Sequence, residues 1–457
     1  MAEAAIVVIG AGPAGVRAAA TLARAGRTVV LIDENRRPGG QIYRQPPPGA
    51  ERPPRDLYGF EAAKAVAVHR ALDGLHDRID YRPETLVWNA RDRVLDLDGP
   101  RGIERLSFDR LVLATGATDR LIPFPGWTLP GVFSLGGAQI ALKAQGCAIG
   151  RRVVFAGTGP LLPLVAYQYA KAGATVAAVL DTSGFATKLK AAPGLLTLPG
   201  TFAKGLYYLA QLKRRGIPVI GGIDGFAVEG ATAPTAITWW RGKANGRIEC
   251  DAVGAGFGLR SETQLADLLG CGFTFDDLTR QWLPIRDAGG RASERHIYLA
   301  GDGAGIAGAD AAELAGERVA WTLLGDLGAS IDAPRVATLD LELARIARFR
   351  RAIEAAFPFP HHLHSAIADT LVVCRCEGVT AGHLRFQVDQ REAAEMNRLK
   401  AYSRLGMGRC QGRMCASAGA ELLSRWRGVE LDTVGRLRGQ APVKPIPVTA
   451  DHPEAVA

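Results

Sequence analysis

The chain has 457 residues, too many for one hydrophobic core, so about three domains are expected. Apolar residues make up 47% and glycines number 55, which favours an α/β protein with tight turns over a solenoid or β-sandwich. The net charge of +9 is scattered without a Lys/Arg run. It fits either an anionic partner or a solvated basic surface, and nothing resembles a nucleic-acid module.

The chain opens on an apolar run, residues 4–9, that leads straight into Gly10-Ala11-Gly12-Pro13-Ala14-Gly15. It therefore reads as a strand, not a signal peptide. No apolar run approaches the roughly 18 residues that span a bilayer, so no transmembrane segment is expected. The seven cysteines do not form a secreted disulfide framework. The expected location is the cytoplasm, with peripheral attachment at the inner membrane left open.

An Ala-rich helix is predicted from Pro13 to Ala25, and a second strand from Thr28 to Ile32 ends at Asp33-Glu34. Residues 35–55, rich in Pro, Gly and Arg, read as an excursion over a ligand. Helical spacing runs from Glu61 to Leu75, strands alternate through residue 108, and Leu111 to Gly116 is a buried strand closed by a turn. A second βαβ start follows: strand Val153–Ala156, turn Gly157-Thr158-Gly159, helix Leu161–Ala172 and strand Thr175–Leu180. Residues 182–202 read as irregular, Ala203 to Arg214 as helical and 217–256 as strands. Strand His296–Ala300 ends in Gly301-Asp302-Gly303, before a helix from about Asp310 to Leu324. A charged amphipathic helix, Leu339 to Phe357, is broken by Pro358 and Pro360.

The first fingerprint lies between a strand and a helix, the context that dinucleotide binding requires. Gly10 permits the tight turn, Gly12 lets backbone approach a pyrophosphate, and Gly15 lets helix and strand pack closely. The helix N-terminus favours the diphosphate charge. Asp33 stands 23 positions after Gly10, where a carboxylate can bind the adenosine ribose, with Glu34 as the alternative.

The ordered motifs Gly10–Gly15, Gly39-Gly40-Gln41, Ala114-Thr115-Gly116 and Leu299-Ala300-Gly301-Asp302 resemble the two-dinucleotide-domain flavoproteins, the fold of glutathione and thioredoxin reductases. The resemblance covers about residues 1–330. It implies bound FAD, with Asp302 on the flavin ribityl chain. It adds Pro13, Ala14, Gly40, Gln41, Val87, Ala114, Thr115, Gly116 and Gly301 to the candidate cofactor-binding residues. That family's redox-active cysteine pair is missing. Cys147, Cys250 and Cys271 stand alone and read as buried small hydrophobes, so disulfide reductase chemistry is disfavoured.

The second fingerprint departs from the pattern: its third small residue is Leu162. Asp181, 24 positions after Gly157, could hold a ribose, and no neighbouring Arg favours a 2′-phosphate. Gly157, Gly159 and Asp181 could serve NADH, ADP or ATP, or the domain could be purely structural.

Cys374 and Cys376 form a C-x-C, and after 33 residues Cys410 and Cys415 form a C-x4-C. Four thiolates suit zinc or an iron–sulfur cluster, but zinc modules usually carry wider knuckles at both ends. Cys415 would open a helix whose N-terminus favours thiolate, and Arg375, Arg409 and Arg413 can offset cluster charge. The motif resembles the bacterioferritin-associated-ferredoxin-like module, which implies a 2Fe-2S cluster. His361-His362-Leu363-His364 lacks a helical metal-binding frame and reads as a polar loop.

The expected fold class is α/β: two Rossmann-like domains of the glutathione/thioredoxin reductase kind plus a small, mostly helical C-terminal 2Fe-2S domain. The expected boundaries are 1–118 and 250–330 for the FAD half, 119–249 for the second nucleotide domain, 331–368 for the connecting helix and linker, 369–430 for the cluster domain and 431–457 for an extended tail. This order resembles the alpha subunits of bacterial opine oxidases, hydrogen cyanide synthase, and D-hydroxyproline and L-proline dehydrogenases. The resemblance implies a D-amino-acid-oxidase-type beta subunit that oxidises the amine, in some members an FMN at the subunit interface, and in some a small gamma subunit. A stand-alone NADH-dependent reductase, or a redox sensor or scaffold, are the competing readings. No residue is an evident catalytic acid, base or nucleophile.

Overall fold

A computed structural model describes residues 5–447. The expected tail beyond residue 447 lies outside the described residues. Strand Ile6–Ile9 is buried at all four positions, as a β-branched run covered on both faces must be. It lies at the centre of a five-stranded parallel sheet in the order 297–299, 110–113, 6–9, 29–32, 79–82. Helices Pro13–Arg24 and Ala309–Asp326 pack together on one face. Val87, Leu95, Leu97 and Leu265 fill the other.

The second sheet repeats the plan in the order 219–221, 175–181, 152–158, 252–257, 132–134. Strand Ala252–Phe257 sits inside this sheet, so the return to the first domain falls after Phe257 and not at residue 250. The two domains are strapped together by Ala117–Asp119 running antiparallel to Leu259–Ser261.

The irregular stretch expected at 182–202 is instead helix Phe185–Leu195, followed by a helix that begins at Pro199 and runs to Arg214. Pro193 lies in the last turn of the first helix and Pro199 at the first turn of the second, where a missing N–H costs least. The connecting helix is longer than expected, Ala333–Ala356, and packs against helices 309–326 and 185–195.

The C-terminal module has its own core, with Val373, Leu384, Leu399 and Leu422 all nearly inaccessible. Its helices are Ala381–Arg391, Met396–Ser403 and Ala416–Arg427. The tail returns to the first domain: Val443 is buried there, and its N–H donates to Trp88 O at 3.0 Å. Among the described residues no helix is long and apolar enough to cross a membrane.

Candidate redox centres

The four glycine-bearing motifs converge at the C-terminal ends of the first sheet. Gly10 has φ +102°, and a Cβ there would meet Ala114 O at 2.3 Å. A Cβ on Gly15 would lie 1.7 Å from Gly10 O, so helix and strand touch through backbone alone. Gly12 caps the helix with Pro13 at its first turn. Gly40 stacks on Gly12 so closely that a Cβ would come within 2.9 Å of Gly12 Cα, and Gly39 N–H donates to Ala11 O at 2.8 Å. A Cβ on Gly301 would meet Ala14 Cβ at 2.8 Å. Such a side-chain-free cradle at a helix N-terminus fits the diphosphate of a dinucleotide.

Asp33 ends the second strand, 7% exposed. Its carboxylate accepts from Ala11 N–H at 2.5 Å and from Asn35 N–H at 2.6 Å. Burial raises its pKa despite those bonds. Glu34 is exposed and ion-paired with Lys444 of the tail, leaving Asp33 as the better placed of the two for a ribose. Val87 is buried between strands, so only its backbone could face a cofactor. Gln41 is exposed and accepts from Arg44 at 3.1 Å. One Asp302 carboxylate oxygen accepts from Ala307 and Gly308 N–H groups at 2.8 and 3.0 Å, which fixes the side chain at the start of the last helix of this domain.

The second fingerprint is built differently. A Cβ on Gly157 would meet Gly256 O at 1.8 Å, so the strand crossing is tight. Leu162, however, is fully buried among Phe155, Val165 and Tyr169, a side chain wedged where the first domain has none. Gly159, with φ +117°, faces open space. Asp181 is 5% exposed and already engaged: Lys188 Nζ lies 2.6 Å away and Ser183 N–H donates at 2.9 Å. Burial raises its carboxyl pKa, and Lys188 opposes that shift. Lys188 comes from the helix that sequence reasoning missed, and it sits 5.1 Å from the Phe357 ring at the end of the connecting helix.

The four C-terminal cysteines come together from strand Val372–Cys374, the turn after it, and the loop before helix Ala416–Arg427, which Cys415 caps. The Cys415 thiol hydrogen-bonds to both Cys374 and Cys410, and Cys376 pairs with Cys410. The Cys415 bond, aided by backbone N–H groups, lowers Cys374 to about 6. It lowers Cys410 to about 5, and Cys415 itself is raised well above the usual thiol. Among the described residues no three His, Cys, Asp or Glu side chains converge as the shell of one metal ion. Four thiols in a chain of contacts, with backbone N–H groups on the sulfurs, fit a dinuclear iron–sulfur cluster. Cys374, Cys376, Cys410 and Cys415 would hold it.

Of the three arginines raised from sequence, Arg409 is exposed and Arg375 stacks on Trp127 at 5.7 Å. Arg413 turns to Glu262 at 2.6 Å and donates to Cys410 O and Val443 O. Glu262 is the residue that sequence reading missed. Its N–H donates to Gly116 O at 2.9 Å, and its own carbonyl accepts from Thr115 Oγ1 at 2.6 Å. The adjacent Ser261 Oγ donates to Asp302 O at 2.7 Å. One segment therefore braces two FAD motifs and bolts onto the cysteine loop.

Two further expectations are corrected. Cys147 is exposed, whereas Cys250 and Cys271 are buried with thiols pushed up to about 11 by burial. The histidine run is a 3-10 turn, His361–Ala366, and not a loop. His364 within it is 3% exposed, packs at a tilt against the Phe359 ring, and is lowered to about 4 by burial. Phe359 is Pro-flanked and seats it in the core of the second domain.

Residues 4–317 match the pyridine nucleotide-disulphide oxidoreductase family, and residues 372–425 match the BFD-like [2Fe-2S] binding domain. The chain is 35% identical to one subunit of the opine oxidase of Rhizobium meliloti, over 96% of this chain and 86% of that one. It is 36% identical to hydrogen cyanide synthase subunit HcnB of Pseudomonas aeruginosa, over 97% of each. Among solved structures, L-proline dehydrogenase from P. horikoshii has the same fold, with a TM-score of 0.69 at 19% identity over 98% of this chain and 78% of that one. The chain belongs to the pyridine nucleotide-disulphide oxidoreductase family, together with hydrogen cyanide synthase subunit HcnB and the matching subunit of opine oxidase.

Proposed function

We propose that this chain is the FAD- and 2Fe-2S-containing electron-transfer subunit of a hetero-oligomeric dehydrogenase or oxidase. Its substrate class is a secondary amine or amino acid: an opine, hydroxyproline or proline, or glycine. The observation that carries the reading is the Ser261–Glu262 bridge. It laces Thr115, Gly116 and Asp302 to the loop that holds Cys410. Similarity to subunits named for opine oxidation and hydrogen cyanide synthesis, at about one-third identity over nearly the whole chain, supports it.

FAD, when bound, takes two electrons together and releases them singly, which suits a one-electron cluster. The chain's own residues do the holding. Gly10, Gly12 and Gly15 present a bare helix N-terminus to the diphosphate, Asp33 offers a carboxylate to the ribose, and Asp302 stands at the ribityl position. Glu262 and Arg413 keep the cysteine loop pressed against that site. Oxidation of the amine falls to an oxidase-like beta subunit with its own flavin. An interface FMN and a small gamma subunit belong to the same reading, as does an assembly in the cytoplasm or at the inner membrane.

The NADH-reductase alternative meets two obstacles in the second domain: the Leu162 wedge and the Lys188 pairing of Asp181. Anaerobic stopped-flow spectroscopy tests the choice. NADH should bleach the flavin of the isolated chain slowly or not at all, and the amine should bleach it only with the beta subunit present. Rapid bleaching of the isolated chain by NADH, or by an opine, proline or glycine, would overturn the subunit reading.

A further inference from the structure

A cavity of about 120 Å³ lies between the first domain and the cysteine module, lined by Arg120, Arg260, Gln264 and Trp282 on one side and Lys400 on the other. Arg120 is 3% exposed. Its two terminal nitrogens donate to Thr279 O and Arg280 O, but its Nε has no partner. Trp282 Nε1 is buried and unpartnered as well. The Arg260 guanidinium makes no hydrogen bond or ion pair among the described residues. Its neighbouring carboxylate, Glu262, is held by Arg413. Lys400, 7% exposed, donates to Gln440 at 2.8 Å. Asp267, which also lines the cavity, is held by Arg436 and Arg438.

Four of these groups, Arg120, Arg260, Lys400 and Trp282, can only donate, and the first three are cations. Gln264 is the exception. Its amide nitrogen donates to Gln411 O at 2.7 Å, which fixes the amide orientation and leaves Oε1 as a buried acceptor without a partner. Buried polar groups are seldom left in this state. A ligand that satisfies the set is small and anionic, accepts several hydrogen bonds, and keeps one proton of its own for Gln264. We propose that this cavity binds free inorganic phosphate in a protonated form. Phosphate retains a proton near neutral pH and sulfate has none, so Gln264 would discriminate between two anions of the same shape and size.

The test is calorimetric titration of the full chain with FAD and cluster bound, near pH 7, in a buffer free of both anions. The titrants are sodium phosphate, sodium sulfate and glycerol 1-phosphate. Saturable one-to-one phosphate binding is expected, about tenfold or more tighter than sulfate or the ester, because each competitor leaves a buried group unmade. Arg260→Gln should weaken phosphate binding by about tenfold or more, and Gln264→Leu should remove most of the preference over sulfate. Flavin and cluster absorbance certify the fold of each variant. Where Arg260→Gln loses them, Trp282→Phe, which removes one neutral donor, should still weaken phosphate by about fivefold. Absence of saturable phosphate binding to the wild-type chain would leave the cavity to water and overturn the assignment. Sulfate or the ester binding as tightly as phosphate would overturn it too, as would variants that bind like the wild type.

Discussion

Glu262→Gln isolates the bridge between the two redox modules. The substitution keeps the side chain's shape and the backbone bonds to Thr115 and Gly116, and removes the charge, which faces Arg413 first and Arg260 behind it. Both partners are nearly enclosed, with side chains 12% and 11% exposed, and 2.6 Å apart. Breaking a buried pair by neutralising one member typically costs about 3–5 kcal/mol. Arg413 keeps the carbonyls of Cys410 and Val443, so about 2–3 kcal/mol is the better expectation here. The loss should appear in the cysteine module, which Arg413 ties down, before the FAD domain. Denaturant titration with cluster absorbance and flavin fluorescence followed together separates the two. Arg413→Met alone should cost a similar amount, and the double variant less than the sum, because the two substituted positions then no longer leave each other's charge stranded. A loss below about 1 kcal/mol, or strict additivity in the double variant, would refute the argument.

Gly15→Val should abolish FAD retention, since its Cβ alone would fall 1.7 Å from Gly10 O; flavin release on denaturation measures it. Cys410→Ser should remove iron and labile sulfide while leaving FAD bound, because the module folds on a separate core. Asp267→Asn should cost about 2–3 kcal/mol at pH 7, because it strips the buried carboxylate from Arg436 and Arg438. Burial raises the Asp267 carboxyl pKa, but the two arginines and the Gly439 N–H lower it further, for a net depression. Its stabilisation is therefore present above the unfolded value near 4 and lost as pH falls through the lower folded value. The gap between wild type and variant should narrow below about pH 4 in denaturant titrations.

The two sheets were legible because their central strands, Ile6–Ile9 and Arg152–Thr158, are apolar runs ending in glycine turns. The cysteine quartet was legible from spacing alone. Helix Phe185–Leu195 was not, because Pro193 and Gly194 look like breakers. In the structure Gly194 is a contact residue: a Cβ there would meet Ala352 Cβ at 2.6 Å, so the glycine lets the connecting helix approach. That requirement comes from a helix more than a hundred residues away and leaves no local trace. The Glu262–Arg413 pair is separated by 151 positions, and periodicity does not reach that far. Phe257 was assigned to the wrong domain because the chain crosses back through a strand with no composition change at its end.

The two βαβ starts share a plan and have diverged in use. In the first, Gly15 leaves the turn bare and Asp33 is held only by backbone N–H groups and Asn35, so both remain suited to a ligand. In the second, Leu162 stands in the place of Gly15 in the fingerprint and is buried in the core, and Asp181 holds Lys188, which reaches from helix Phe185–Leu195. The same helix presents Thr187 to Ala356 O at 3.3 Å and Lys188 to the Phe357 ring. Asp181, Lys188 and Thr187 thus form contacts that reach the end of the connecting helix, just before the chain enters the cysteine module. That arrangement accounts for keeping a whole nucleotide-binding domain in a chain proposed to receive its electrons from a partner. The second domain fixes where the module begins, and the Glu262–Arg413 bridge fixes where the module's cysteine loop meets the FAD motifs.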